Sequence, residues 1–305
     1  NLRHVRNLER LKGKENITQS GQRIDICANV GTREDIENVL RSDAGGIGLF
    51  RSEFLYMEMG SKLPSEEQLF QVYKLAAESM GANRVVVRIA DFGGDKMVES
   101  VDLGEQANPA IGLRGIRIMM EKEELFLPQF RAILRASALG NVSIMFPMVT
   151  SMEEVAAAKA LLEKAKKQLK DEKTAYNENI EIGVMIETPA AVMISRELAR
   201  RVDFLSLGTN DLSQYTLAMD RQNPLLRKKY NDHHPAVLRM IQMVIEAGHA
   251  ENRRVCICGE LAADTALTEE FLRMGVDCLS VVPACILPVR KALRQVDLSG
   301  DDKGA

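Results

Sequence analysis
The sequence predicts an α/β protein built as a parallel (β/α)8 barrel. Three observations point there. Eight short runs of apolar residues recur along the chain, and segments of helical period separate them. The length, 305 residues, suits a single barrel of roughly 250 residues or more. Strands that alternate with helices and are buried on both faces belong to parallel sheets. An open doubly wound sheet shares this alternation and is the structural alternative.

The first run, RIDICANV (23–30), leads into TREDIENVLRS, where Thr32 and Asp35 have the spacing of a helix-capping box. GIGLF (46–50) and VVVRI (85–89) supply the second and third strands. The connection over 91–141 is longer than one helix requires. It holds a polar loop, then NPAIGLRGIRIMM, then the helix EELFLPQFRAILRASALG. VSIMF (142–146) is the fourth strand. The helix after it starts at Ser151, with Glu154 at the capping position and cations late, where the helix dipole favours them. IEIGVMI (180–186) and DFLSL (203–207) follow, then the helix HPAVLRMIQMVIEAGHAENR. VCIC (255–258), the helix TALTEEFLRMGV and CLSVV (278–282) complete the set. No Pro-, Gly- or Ser-rich linker interrupts it, so residues 21–305 read as one TIM-barrel domain. Residues 1–20 read as an entering helix, the tail of something longer.

Composition narrows the function. Lys plus Arg is 40 against 43 for Asp plus Glu, a net charge of −3, and no basic run carries interleaved aromatics. Nothing advertises nucleic acid or a membrane surface. No stretch of about 20 apolar residues predicts a spanning helix. Five cysteines, an odd number without framework spacing, fit a reduced, cytoplasmic setting.

In a barrel of this kind the chemistry belongs at the C-terminal strand ends. Arg51 ends the second run, Arg88 lies in the third, and Glu187 follows the fifth. Gly208-Thr209 after the sixth delivers Asn210 and Asp211, with Arg221 ten residues beyond the aspartate. Cys258 ends the seventh. Singly, each has a plainer reading: a loop salt bridge for an arginine, a helix cap for Glu187, an Asx turn for Asn210-Asp211, a small buried hydrophobe for Cys258. Cys256 and Cys258 lack the further ligands a zinc site needs. Taken together, Glu187 and Asp211 suit a hard cation such as Mg2+. Arg51, Arg88 and Arg221 offer planar forks for phosphate. The implied ligand is a phosphorylated, multiply anionic metabolite bridged to a metal. A thiol on the same rim would handle a proton.

These segments resemble the phosphoenolpyruvate-binding domain of enzyme I of the bacterial sugar phosphotransferase system, the phosphoenolpyruvate–protein phosphotransferases. DFLSLGTNDLSQYTLAMDR is similar to that family's signature. GIGLFRSEFLYM, DFGGDK, NPAIGLRGIRI, MFPMVTSMEE, GVMIETPAA, HPAVLRMI and CICGELAAD occur in the family's order. The likeness covers about residues 21–294. It implies phosphoenolpyruvate contacts from Arg51, Arg88, Asn210, Asp211 and Arg221, with Arg114 beside them. Glu187 and Asp211 would hold Mg2+, and Cys258 would protonate the enolpyruvate carbon to give pyruvate. In the family the phosphoryl group passes to a histidine on a separate N-terminal domain, then to a small histidine-containing carrier protein. Isolated barrels are expected to form homodimers.

Departures from the family pattern are Ile89-Ala90, Ser52 for a threonine, MVESVDLGEQ after Lys96, and SVVPACILP. None of the four histidines has a phosphoacceptor context, so the resemblance implies a C-terminal piece. Two other readings stand beside it. One is a pyruvate phosphate dikinase or phosphoenolpyruvate synthase barrel. The other is a binding and dimerisation module inactive without its N-terminal domain.

Overall fold
The structure, a computed structural model, describes residues 2–94, 96 and 98–300. Expectations that fall on residue 1, on Asp95 within DFGGDK, on Met97 at the head of MVESVDLGEQ and on 301–305 lie outside the described residues. Strands β1 (Asp25–Val30), β2 (Ile47–Arg51), β3 (Val85–Arg88) and β4 (Val142–Phe146) form one half of a closed parallel barrel. β5 (Ile182–Ile186), β6 (Phe204–Gly208), β7 (Arg254–Cys258) and β8 (Cys278–Val281) form the other. β8 returns to β1, with Asp25 opposite Cys278 and Ala28 opposite Val281, so the sheet is not open. Each apolar run in the sequence coincides with a strand to within two residues at either end.

Helix α1 (Leu2–Glu9) precedes the barrel. Beyond it the chain turns and Ile17 bridges Arg23, so the helical part of the first twenty residues stops at Glu9. α2 (Arg33–Ser42) follows β1. The gap before β3, for which the patterning above specifies no helix, holds α3 (Glu53–Glu58) and α4 (Glu66–Met80). The long connection before β4 ends in α5 (Ile116–Glu121) and α6 (Glu123–Ser137). α7 (Met152–Asp171) leads to β5, and α8 (Pro189–Met193) with α9 (Ser195–Ala199) leads to β6. α10 (Thr209–Leu217) and α11 (Pro235–Ala250) precede β7. α12 (Glu260–Ala263) and α13 (Thr268–Arg273) precede β8, and α14 (Ile286–Leu293) follows it. No helix among the described residues is long and apolar enough to cross a membrane.

Three helices start on reciprocal capping boxes, whose side chains satisfy otherwise orphaned backbone donors. Thr32 Oγ1 accepts from the Asp35 amide at 3.2 Å while Asp35 accepts from the Thr32 amide at 3.0 Å. Ser151 and Glu154 make the same reciprocal pair at 3.3 and 3.1 Å, and so do Ser65 and Gln68 at 3.1 and 2.9 Å. Strand alternation then divides the core. Val85, Val87, Leu205, Leu207, Val255 and Ile257 belong to the large cluster packed with the helices. Leu49, Val86, Met145, Met185, Phe204 and Cys258 form a small separate cluster from the opposite strand faces, inside the barrel. That inner cluster is the floor under the strand ends.

Removing the Ser151 hydroxyl leaves the Glu154 amide without its acceptor. Ser151→Ala should cost about 1 kcal/mol, a fall of roughly 2–4 °C in Tm for a domain of this size. Thermal unfolding followed by circular dichroism checks it. An unchanged Tm would mean the cap contributes nothing to stability.

Candidate active site
Arg51 and Arg88 are the last residues of β2 and β3, and the sheet register sets them directly opposite each other. Like charges placed so are destabilising, and the structure carries the signs of it. Burial and then the Arg88 charge lower the pKa of the Arg51 guanidinium from its ordinary value. Arg51 also lies over the Phe54 ring, 5.1 Å from its centre. Arg88 is buried, and its Nη2 donates to Glu53 Oε1 at 2.5 Å. Burial works against the Arg88 charge, but Glu53, Asp91, Glu187 and Asp211 outweigh it and raise its pKa. Both arginines nevertheless keep a buried Nε without a hydrogen-bond partner.

The carboxylates stand beside them. Asp91, Glu187 and Asp211 are buried and bring one oxygen each within 4.8 Å of one another. Glu187 Oε1 accepts from the Met148 amide at 2.7 Å. Burial, then the Asp211 charge, push the Glu187 carboxyl up to about 8. Asp91 is held well below the carboxylate range. Its burial is outweighed by Lys96, Arg114 and Arg88. Glu53, fully buried, is likewise held low by Arg88 and Lys96 against the penalty of burial. Lys96 Nζ reaches Glu53 and Asp91, each at 3.1 Å.

Two glycines make room for this crowding. A Cβ on Gly208 would meet Glu187 Oε2 at 2.7 Å, so only glycine lets the end of β6 pass the carboxylate. Gly259, at φ +98°, lies in the left-handed region, and a Cβ there would meet the side-chain oxygen Oδ1 of Asn210 at 2.9 Å. Asn210 and Asp211 open α10 straight after the strand, and Asn210 Oδ1 accepts from the Glu260 amide at 3.1 Å. Ala218, left-handed at φ 51°, ends α10 and turns the chain back, and the Arg221 amide then donates to Gln214 at 3.1 Å.

A cavity of about 310 Å3 is lined by Arg51, Arg88, Glu187, Asn210, Asp211, Arg221 and Cys258 together. Thus seven of the residues singled out in the sequence converge on one space at the C-terminal strand ends. Cys258 is buried, and its sulfur shares a hydrogen bond with Ser206 Oγ at 3.0 Å. Arg114 differs. It does not line the cavity but lies behind the acids, 2.7 Å from Asp91, 3.4 Å from Asp211 and 3.0 Å from the Tyr215 hydroxyl. Glu53, Asp91 and Lys96 are members that sequence reasoning did not assign. Their signal was charge inside RSEF and DFGGDK, next to residues that were assigned.

The donor set fits a hard divalent cation: three buried carboxylates and no nitrogen or sulfur ligand in the group. The partnerless guanidinium nitrogens fit an anion. Cation and anion would lie side by side, over a floor that offers a thiol.

Residues 5–298 match the family described as "PEP-utilising enzyme, PEP-binding domain", and the chain belongs to that family. Over 290 residues it is 44% identical to a phosphoenolpyruvate-protein phosphotransferase of Haemophilus influenzae, covering 95% of this chain and 50% of that protein. A protein of the same name from Staphylococcus carnosus is 42% identical over 292 residues, covering 96% and 51%. The chain spans about half the length of the curated relatives it matches. Two solved structures are similar in fold alone. A citrate lyase from Burkholderia xenovorans LB400 gives a TM-score of 0.57 at 19% identity, covering 92% of this chain and 80% of that one. An aldolase/citrate lyase family protein from Burkholderia cenocepacia J2315 gives 0.54 at 14%, covering 94% and 97%.

Glu187 gives the metal-free site a pH dependence of definite sign. The native state keeps its proton up to about pH 8, whereas an ordinary glutamate releases it near 4.5. The native state therefore binds more protons between those values, and stability falls as pH rises through that window. Glu53 and Asp91, held low, titrate below it. Urea unfolding in EDTA should give a smaller unfolding free energy at pH 8.5 than at pH 5.5. Glu187→Gln should shrink that difference. An equal slope in the variant would assign the pH dependence elsewhere.

Proposed function
We propose that the chain is the phosphoenolpyruvate-binding catalytic half of a phosphoenolpyruvate–protein phosphotransferase. The observation that carries this reading is the in-register Arg51–Arg88 pair, with unpaired Nε donors, in one cavity with Glu187, Asp211 and Cys258. The family match and the names of the curated relatives point the same way. Arg51 and Arg88 would grip the phosphate and carboxylate, with Asn210 and Arg221 completing the embrace. Arg114 would act from behind, orienting Asp91 and Asp211.

Glu187 and Asp211, with Asp91 adjoining, would hold Mg2+, which when bound neutralises charge on the phosphate oxygens. The bond between phosphorus and the enol oxygen breaks as the phosphoryl group passes to a histidine of a separate N-terminal domain. Arg51 and Arg88 keep their hydrogen bonds to the moving group, which supplies the electrostatic stabilisation such a transfer needs. Cys258 delivers the thiol proton to the enolate carbon, and pyruvate leaves. From the histidine the group would go on to a small histidine-containing carrier protein. A homodimer in the cytoplasm is the proposed working state.

Phosphoenolpyruvate with Mg2+ should raise the Tm of this chain, and Asp211→Asn should abolish the Mg2+-dependent part of the rise. Pyruvate should form when the N-terminal histidine domain of a relative is added in trans, and not with a nucleotide-binding partner instead. The reverse pattern would point to a dikinase or synthase. Cys258→Ala should keep phosphoenolpyruvate binding and lose about 10²–10⁴-fold in pyruvate formation, the range for a general acid. Unchanged turnover would remove the thiol from the mechanism.

A further inference from the structure
The opposite mouth of the barrel carries a second, unrelated constellation. A cavity of about 260 Å3 opens at the N-terminal strand ends, and none of its lining residues belongs to the cavity described above. Cys27, Cys256 and Cys278 all line it, together with Phe204, Arg84 and Arg254. These cysteines are free, Cys27 and Cys278 being buried and Cys256 half-buried. They come from three strands that closure of the barrel makes neighbours.

Register sets their order. Cys256 on β7 and Cys278 on β8 are direct partners across the ladder. Adjacent parallel strands run roughly 4.8 Å apart, within the Cα separation of about 4.4–6.8 Å that a disulfide accepts. Cys27 is diagonal to Cys278, whose partner on β1 is Asp25, two residues earlier. That longer span is less suited to a bond. The three thiols are electrostatically distinct as well. Contact with Cys256 and then with Cys27 lowers the pKa of Cys278 well below the thiol range, with help from the Arg254 charge and against burial. Those same contacts with Cys278, followed by burial, raise Cys27. Cys256 is raised by its contacts with Cys258 and Cys278 and by burial. Arg254 is ion-paired to Asp25, and Arg84 lies 4.2 Å from the centre of the Phe204 ring, so two cations frame the opening.

We propose that the N-terminal mouth is an oxidative modification site, in which Cys278 reacts with a small hydroperoxide and Cys256 resolves the product into a Cys256–Cys278 disulfide. The Cys278 sulfur attacks one peroxide oxygen, the O–O bond breaks, and hydroxide or alkoxide leaves. Cys278 is oxidised to a sulfenic acid and the peroxide is reduced. The Cys256 sulfur then attacks that sulfur, an S–S bond forms, the S–O bond breaks, and water leaves carrying the Cys256 proton. A dithiol reductant reverses the step by thiol–disulfide exchange. Neither step calls on the groups at the other end of the barrel.

The test needs no variant at first. Native protein is pulsed with iodoacetamide at pH 7 and each cysteine is quantified by peptide mass spectrometry. Cys278 should be labelled about ten-fold or more faster than Cys27 and Cys256, the advantage a lowered thiol pKa confers. Unfolding in guanidinium should erase the difference. After hydrogen peroxide and blocking, fragmentation should show a Cys256–Cys278 linkage. The linkage should persist in Cys285→Ser and be absent in Cys278→Ser and Cys256→Ser. Labelling of Cys278 no faster than that of its two neighbours overturns the proposal, as does a peroxide-induced linkage that omits either Cys256 or Cys278, or no linkage at all.

Discussion
Two guanidinium groups forced into register are the constraint around which the rim is organised. Closing the barrel places Arg51 opposite Arg88, and neither can move away without breaking a ladder. Glu53, buried beneath them, answers one of the charges at 2.5 Å. The other is left facing the cavity with a donor unused. Donors arranged this way suit an anion that presents several oxygens. Ligand binding then relieves a repulsion as well as making bonds, which is how binding energy is directed to a charged group.

The acids extend the same logic in the opposite sign. Asp91 and Asp211 are both tied to Arg114, and Asp91 to Lys96, whereas Glu187 is tied only to a backbone amide and is the member pushed upward. One carboxyl, Glu187, is thus pushed toward its protonated form while Asp91 is held charged. Interleaving cations and anions in this way keeps a densely ionic pocket foldable, because Glu53, Asp91, Asp211, Lys96 and Arg114 each have an ionic partner within reach, while the two rim arginines each keep one buried Nε unpaired. The glycine at 208 is the steric counterpart of that electrostatic packing, since a methyl group there would press on the Glu187 carboxylate.

Seen as a whole, the barrel separates its chemistries by strand end. Alternation puts Cys256 and Cys258 on the same inward face of β7, yet one belongs to the lower mouth and the other to the rim. Cys258 is part of the small inner cluster with Met145, Met185 and Phe204, and Cys256 packs against that cluster. A thiol two residues away along one strand therefore has a different environment and a different proposed use.

How much of this was readable from residues alone depends on the range of the interaction concerned. Strands, capped helices and the sites of Arg51, Glu187, Asn210, Asp211 and Cys258 follow from local rules: apolar period, side-chain caps within four residues, and the habit of barrels to work at strand ends. α4 went unspecified although Ser65 and Gln68 carry its cap, and α1 proved shorter than the expected entering helix. The ionic partnerships were out of reach. Arg88 meets Glu53 across 35 residues and Arg114 meets Asp211 across 97, and no local pattern encodes such a meeting. The same holds for the three thiols, which look unrelated at 27, 256 and 278 until closure brings β8 between β7 and β1. Sequence period settles which residues face inward, because side-chain direction is a property of neighbouring backbone angles. Which inward residues then touch is decided by shear and closure of the whole sheet, and only the folded chain contains that information.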